Sequence, residues 1–534
     1  MDIVGNRNLR SMWDDLVDKS ASQTFLDFEG LDGEARRYTY EAFNTLIDRT
    51  ANLLLDLGVR KGDTVAIHLS NSPEMLMFLF GVAKIGAVGV PLHPRSSMGE
   101  CSYAIQRTEA KVVVCQPDTA DVYGDGGDRV HVRHVVLARS AEPLPGTLCF
   151  EVERDARPAR LSHHASVLSS DDVAEILFTS GTTARPKGVV ITHANMIFAG
   201  IFVDWQANLT SCDRVLTTMP ASHVNFQMNA LMPVVAAGAT LVMIERYSAS
   251  RFWRQAIDHG ATVAQSQAMM VRTMLLTEEQ PWERNSCVRE VLYYLPISDE
   301  EKHRFERRYA TRILNSYGTT ETLVGSITDP PHGDRRWPSI GRPGLGYEAR
   351  IADDKEREVA CRAVGEIQIR GVVGRTLMRG YFDDPEATTA AFTSDDWIHT
   401  GDLGYMDEDG WFYFVERRSA LIKRAGENIA PAEVEAALEE HPDILEAGVI
   451  GVPDPIRDQA VKAFVVLRKG ATLTVEQVED HVRSRLAPFK VPTIVEFVPS
   501  LPLTRSDKVA RVSLGSSEVS VALGSRHDGK EGMA

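Results

Sequence analysis

The chain has 534 residues, 43% of them hydrophobic and 25% charged, a composition that suits a folded enzyme and a length too great for one ordinary domain. Its formal net charge of -16 argues against a nucleic-acid surface, so an acidic chain that handles anionic cosubstrates must gather its lysines and arginines locally. The six cysteines, at 101, 115, 149, 212, 287 and 361, lack any C-x-x-C pair, which argues against a disulfide framework or a zinc site.

No N-terminal signal is expected, because Met1-Asp-Ile-Val-Gly-Asn is followed quickly by charged residues, and the protein is expected to be cytoplasmic. Residues 64–69 form a short β-rich run, 73–85 read as a helix and 87–90 as a strand. That order with short connections implies a parallel α/β unit. The apolar stretch 75–92 carries Lys84 and three glycines, so it reads as a buried helix and strand, and no membrane span is expected. Residues 112–115 and 134–137 look like further strands.

The stretch from Phe178 to His193 is the most informative. Thr179, Ser180, Gly181, Thr182 and Thr183 make a loop dense in small donors, Pro186 stiffens its exit, Lys187 adds charge and Gly188 leads into an apolar strand. Backbone N–H groups and hydroxyls of such a loop can wrap polyphosphate while the lysine neutralises it. The Walker A order is absent, and by itself the run is also the composition of a surface loop. Further on, residues 230–237, Gly238 and 240–244 repeat a helix, glycine stop and strand. Residues 366–371 alternate like an antiparallel strand. From about Arg417 a small α+β module begins, with helices at 431–438 and 475–486 and strands at 460–467 and 493–498. The stretch 516–534 reads as a disordered tail.

Four segments turn the loop into a site. Ser316-Tyr-Gly-Thr-Thr-Glu321 sets a carboxylate beside hydroxyls, which suits Mg²⁺ bridging phosphate oxygens. Trp397-Ile-His-Thr-Gly-Asp402 ends a strand-like run with a carboxylate able to bind two ribose hydroxyls. Arg417-Arg-Ser-Ala-Leu-Ile-Lys423-Arg-Ala-Gly-Glu-Asn428 is a basic connector, and Pro502-Leu-Thr-Arg-Ser-Asp-Lys508 puts a lysine on a late loop.

Together these motifs resemble the adenylate-forming superfamily of acyl-CoA synthetases, luciferases and adenylation domains, over residues 8–514. Met1-Asp-Ile-Val-Gly, Met12-Trp-Asp-Asp15 and Trp337-Pro-Ser-Ile-Gly341 carry a likeness to its crotonobetaine/carnitine–CoA ligase type. The resemblance implies a large N-terminal domain of α/β subdomains with a β-barrel-like part (1–417), a hinge (418–420), a small mobile C-terminal α+β domain (421–515) and the tail. It implies that the 179–188 loop holds the β- and γ-phosphates of ATP, that Thr320 touches the α-phosphate and that Glu321 holds Mg²⁺. Tyr317, next to Gly318, would stack on adenine, and Asp402 would bind the ribose with Arg417 beside it. Lys508 would serve the first half-reaction, His223 would gate the acyl pocket, and Lys423 to Asn428 would face the site in the second.

The partners implied are a small carboxylic acid, ATP and an acceptor, with CoA as the leading reading and an amine as the alternative, as in aminocoumarin antibiotic biosynthesis. A luciferase-like oxidoreductase or a silent nucleotide-binding scaffold is a third reading, against which intact Thr320, Glu321, Asp402 and Lys508 argue. Neither a membrane nor a nucleic acid is expected as partner, and a homodimer is compatible with the resemblance. The chain departs from the family at Ser419, at Asp507, at Tyr293-Tyr-Leu-Pro-Ile297 and at Ala268, which bears on the acid and the acceptor more than on adenylation.

Overall fold

The computed structural model describes residues 3–123, 130, 132–162, 166–179, 186–417, 421–502 and 514, with only the backbone of 416 and 417. The chain divides into two compact units, and the division falls after residue 418. Among the described residues no helix is long and apolar enough to cross a membrane.

The large unit is built on two extended sheets. In the first, the strands Arg312–Tyr317, Glu290–Tyr294, Val263–Gln267, Arg214–Thr217, Thr240–Ile244 and Thr24–Glu29 lie side by side and parallel. Antiparallel Ala35–Thr39 closes one edge, and Ile327–Thr328 with Arg342–Pro343 the other. In the second, Val173–Thr179, Val88–Pro91, Thr64–His68, Val112–Cys115, His134–Leu137 and Leu148–Cys149 are parallel neighbours, and Lys187–Thr192 returns antiparallel along Val173–Thr179. Strands such as Thr64–His68 and Thr240–Ile244 are buried along their whole length, as expected for parallel strands covered on both faces. The part expected to be barrel-like is an antiparallel sheet of Glu348–Ala352, Gly365–Arg370, Trp397–Met406 and Phe412–Arg417.

The helices start and stop where local chemistry allows. Pro73–Ile85 begins with Ser72 accepting from the Met75 amide and with Pro73 in its first turn, and it ends at Gly86 in the left-handed region (φ 76°). The helix expected over 230–237 is instead two pieces, a π-helical turn Gln227–Leu231 and then Met232–Ala237, with Pro233 in the first turn of the second. Helix His193–Ala207 crosses this segment so closely that a Cβ on Gly200 would lie 2.6 Å from the Met232 carbonyl oxygen. Trp13 anchors the N-terminal helix Leu9–Ser20 in an aromatic cluster, 4.9 Å from Phe25 and 4.6 Å from Phe80 between ring centroids. Cys101, Cys115 and Cys149 are buried and Cys212, Cys287 and Cys361 exposed, and burial pushes the Cys101 and Cys115 thiols up to about 12.

The small unit holds the hairpin Ile422–Arg424 with Glu427–Ile429, and the long antiparallel pair Ile444–Asp454 with Asp458–Leu467. Ile494–Phe497 lies parallel to the last of these. Helices Pro431–Glu439 and Val475–Arg483 cover this sheet with Val434, Leu438, Val478 and Val482 inward. The second helix stops short of the expected Leu486, ahead of Pro488, which opens a 3₁₀ turn.

Candidate active site

Thr179 and Lys187 face each other across the antiparallel pair that flanks the hydroxyl-rich loop. Ser180, Gly181, Thr182 and Thr183 lie outside the described residues. The Lys187 Nζ sits 4.8 Å from the centroid of the Tyr381 ring, and the Tyr381 hydroxyl donates to Glu321 Oε1 at 2.8 Å. Tyr381 thus joins the expected phosphate lysine to the expected magnesium carboxylate, a link the sequence did not reveal because its partners are far apart in the chain. The Met378 amide also donates to the Glu321 carbonyl at 2.9 Å.

Thr320 and Glu321 lie on the 3₁₀ turn Thr320–Thr322, next to a severe constriction. A Cβ on Gly318 would fall 2.0 Å from the Val324 carbonyl oxygen, so no side chain fits there. Leu323 takes φ 67° and ψ -50°, and the Val324 amide bonds back to the Thr322 carbonyl at 2.8 Å. That is the rare positive-φ γ-turn, a strained conformation held by its surroundings. The Tyr347 hydroxyl locks it, donating to the Thr322 carbonyl at 2.6 Å.

The Tyr317 hydroxyl donates to Asp402 Oδ2 at 2.6 Å, so the structure brings the expected adenine and ribose residues together. The ring of Phe414 lies 6.4 Å from that of Tyr317. Asp402 is buried, and it stands opposite Arg417 in the antiparallel ladder; the Arg417 side chain is outside the described atoms. The turn before Asp402 is fixed by Gly401 (φ 70°), whose amide donates to Glu366 Oε1 at 2.9 Å. Burial pushes the Glu366 carboxyl up, yet hydrogen bonds from His399 at 2.9 Å and from Gly401 outweigh it and leave the group below its ordinary range, hence ionised.

His223 is exposed and caps the short helix Val224–Phe226, its Nδ1 accepting from the Asn225 amide at 3.1 Å. That hydrogen bond puts the proton of the neutral ring on Nε2. Behind it, Gln265 Oε1 accepts from the Thr217 hydroxyl at 2.5 Å while its Nε2 donates to the Asn225 carbonyl at 3.1 Å. Met228 and Met270 are buried, and Met269 is partly buried. In the small unit Lys423 pairs with Asn428, its amide donating to Gln459 Oε1 at 2.8 Å, and the Arg424 guanidinium donates to the Phe489 carbonyl at 2.7 Å. Lys508, Asp507 and Ser419 lie outside the described residues.

Comparison with known proteins places these features in a family. The model of the AMP-binding enzyme family matches residues 15–382, and that of the AMP-binding enzyme C-terminal domain matches residues 433–508. Crotonobetaine/carnitine–CoA ligase of Citrobacter koseri is 46% identical over 517 residues, which are 96% of this chain and all of the relative. The enzyme of the same name from Salmonella heidelberg is 44% identical over 516 residues, again 96% of this chain and all of the relative. Among solved structures, a double mutant of o-succinylbenzoate CoA synthetase from Bacillus subtilis, bound to a product analogue, is 26% identical with a TM-score of 0.82, covering 96% of this chain and 98% of its own. An amide bond synthetase from Marinactinospora thermotolerans is also 26% identical with a TM-score of 0.82, covering 95% and 99%. With both family models matched in order along one chain, this protein belongs to the AMP-binding enzyme family.

Proposed function

We propose that this protein activates a short carboxylic acid with ATP and passes the acyl group to the thiol of coenzyme A. The observation that carries the reading is the convergence of Lys187, Tyr381 and Glu321 in one hydrogen-bonded and cation–π chain. Near-full-length identity of 46% to enzymes named CoA ligases supports the choice of acceptor.

In the first step a carboxylate oxygen of the acid attacks the α-phosphorus of ATP, and the bond to the pyrophosphate oxygen breaks. Lys187 and the hydroxyls from Thr179 to Thr183 would meet the departing β- and γ-phosphates, and Thr320 the α-phosphate. Asp402 would accept from the ribose hydroxyls, with Tyr317 against the base. Lys508 would meet the negative charge that builds as the carboxylate joins the phosphorus. Groups fixed in place before that charge develops stabilise it more than the ground state. In the second step the thiol sulfur attacks the acyl carbonyl carbon, its proton is lost and AMP departs.

Glu321 suits Mg²⁺, since magnesium is bound by one or two carboxylates plus substrate phosphates rather than by an all-protein cage. Among the described residues no cluster of three or more His, Cys, Asp or Glu side chains could hold a metal. Glu321 would hold the ion beside phosphate oxygens, where it supplies positive charge.

For the acid, we propose a short one of the crotonobetaine or carnitine kind, on the names of the relatives. Transfer to an amine is the second reading, and the amide bond synthetase of equal TM-score favours it. The test is acid-dependent release of pyrophosphate, with crotonobetaine, carnitine, branched and aromatic acids, each with CoA or with an amine. Acyl-CoA formation is the expected result. Release of AMP on addition of amine but never of CoA would replace the CoA reading with the amide one.

A further inference from the structure

Glu175 is a buried carboxylate with no cation paired to it among the described residues. It lies in the strand Val173–Thr179 that leads into the hydroxyl-rich loop, next to the bulge in that strand's pairing and with Ile191 and Gly89 as its neighbours. The side chain is buried, and its Oε1 accepts a 2.7 Å hydrogen bond from Gln227 Nε2. Gln227 opens the π-helical turn Gln227–Leu231, its own amide bonds back to the His223 carbonyl at 3.2 Å, and its Nε2 also reaches the Ala221 carbonyl at 3.0 Å. One side chain therefore ties together both flanks of His223 and the strand that carries the loop.

The remaining atoms define the protonation state of the pair. Glu175 Oε2 and Gln227 Oε1 are both buried, and neither has a hydrogen-bond partner among the described residues. Two buried acceptors without a donor cost free energy that one proton removes, because a protonated Oε2 is itself a donor. Burial works in the same direction and pushes the Glu175 carboxyl up to about 8. Charged and titratable groups on the packed elements are Lys187 on the neighbouring strand, His193 and Asp204 on helix His193–Ala207, Arg214 on strand Arg214–Thr217 and His223 beyond Ala221, and none of them is a cause of that displacement. π-helical turns are rare and are found frequently at functional sites.

We propose that Glu175 is a positioning residue of the adenylation step: as an uncharged carboxylic acid paired with Gln227, it holds the π-helical turn and hence His223 in register with the strand Val173–Thr179. It rests on the assignment of the His223 segment to the acid side of the site. Ionisation leaves a buried negative charge on the carboxylate that anchors Gln227, so the turn shifts and the acid loses its pocket while the nucleotide does not.

The experiment is the pH dependence of the KM values for acid and ATP, from pH 6.5 to 9.5, in the wild type, Glu175→Gln and Gln227→Leu. In the wild type the KM for acid should climb about tenfold between pH 7 and 9, as a single ionisation near 8 requires, with the KM for ATP flat. Glu175→Gln, an amide that cannot ionise, should abolish that climb. Gln227→Leu should raise the KM for acid at pH 7 at least about fivefold with little effect on ATP. An alkaline climb that survives in Glu175→Gln, or one shared equally by the KM for ATP, overturns the proposal. His223→Ala separates the underlying assignment: a KM for acid that stays unchanged in that variant removes His223 from the acid side, whatever Glu175 does.

Discussion

Glu321 does not stand alone, because the Tyr381 hydroxyl donates to its Oε1 at 2.8 Å. A hydrogen bond of this kind orients a metal-binding carboxylate, and its loss typically costs roughly tenfold or more in metal affinity. Tyr381→Phe keeps the ring under Lys187 and removes only the donor. The Mg²⁺ concentration for half-maximal pyrophosphate release should then rise roughly tenfold. Glu321→Gln should move it further and slow release. An unchanged magnesium titration in Glu321→Gln would remove that residue from the metal site.

Gly318→Ala tests the constriction. The new Cβ would collide with the Val324 carbonyl oxygen, which a backbone shift alone can relieve. Overpacking of this type costs roughly 1–3 kcal/mol, read as a lower urea midpoint, and here the shift also displaces Thr320 and Glu321. Pyrophosphate release should fall together with stability. Full activity in a stably folded variant would show the turn to be adaptable.

Lys508→Ala should abolish acyl-adenylate formation while sparing acyl transfer from a supplied adenylate. A cation that meets developing negative charge is worth several kcal/mol of barrier, about 3 kcal/mol for a single donor. Measuring the half-reactions separately decides the matter, and equal loss of both would contradict the assignment.

The acceptor step can be probed by replacing Lys423 and Arg424 together with Ser. If their charges meet the phosphates of CoA, its apparent KM should rise at least about tenfold, about 1.4 kcal/mol, with adenylation nearly intact. Because the Arg424 guanidinium also holds the Phe489 carbonyl, the thermal midpoint belongs beside the kinetics as a control. A CoA KM that does not move would place the phosphates elsewhere.

His259 sits between two carboxylates, Nδ1 3.4 Å from Asp27 and Nε2 2.9 Å from Glu29. The hydrogen bond to Asp27 raises its pKa above the ordinary 6.5 despite burial. Its stabilisation is therefore complete below pH 6.5 and is lost as pH rises through the raised value. His259→Gln should thus lose roughly 1–2 kcal/mol at pH 6 and much less at pH 9, read from urea unfolding at both. An equal loss at the two pH values would show that the imidazolium charge contributes nothing.

Much of the fold is legible in short apolar runs bounded by glycine or proline. The strands at 112–115, 134–137 and 240–244 end where the sequence says, because Val- and Leu-rich runs of four or five residues have few alternatives. The segment before Gly238 misled, since one apolar helix and a π-turn followed by a helix share a pattern, and only Pro233 marks the join. Of the candidate site, Glu321 and Asp402 stand out in the sequence close to Gly318 and Gly401. Tyr381 and Glu175 do not, because each is drawn in by a contact made across the fold, with Glu321 and with Gln227.

The uneven exposure of the thiols has a practical side. All of the cysteines precede residue 362, so the small unit contains none. Exchanging Cys212, Cys287 and Cys361 for serine would leave Cys101, Cys115 and Cys149, all shielded from a maleimide dye, and the first two also hard to deprotonate. One cysteine placed on the exposed side of helix Val475–Arg483, and one restored at position 212, would then take a donor and an acceptor fluorophore. Single-molecule energy transfer between them would follow the small unit during turnover, with no labelled residue drawn from the chemistry.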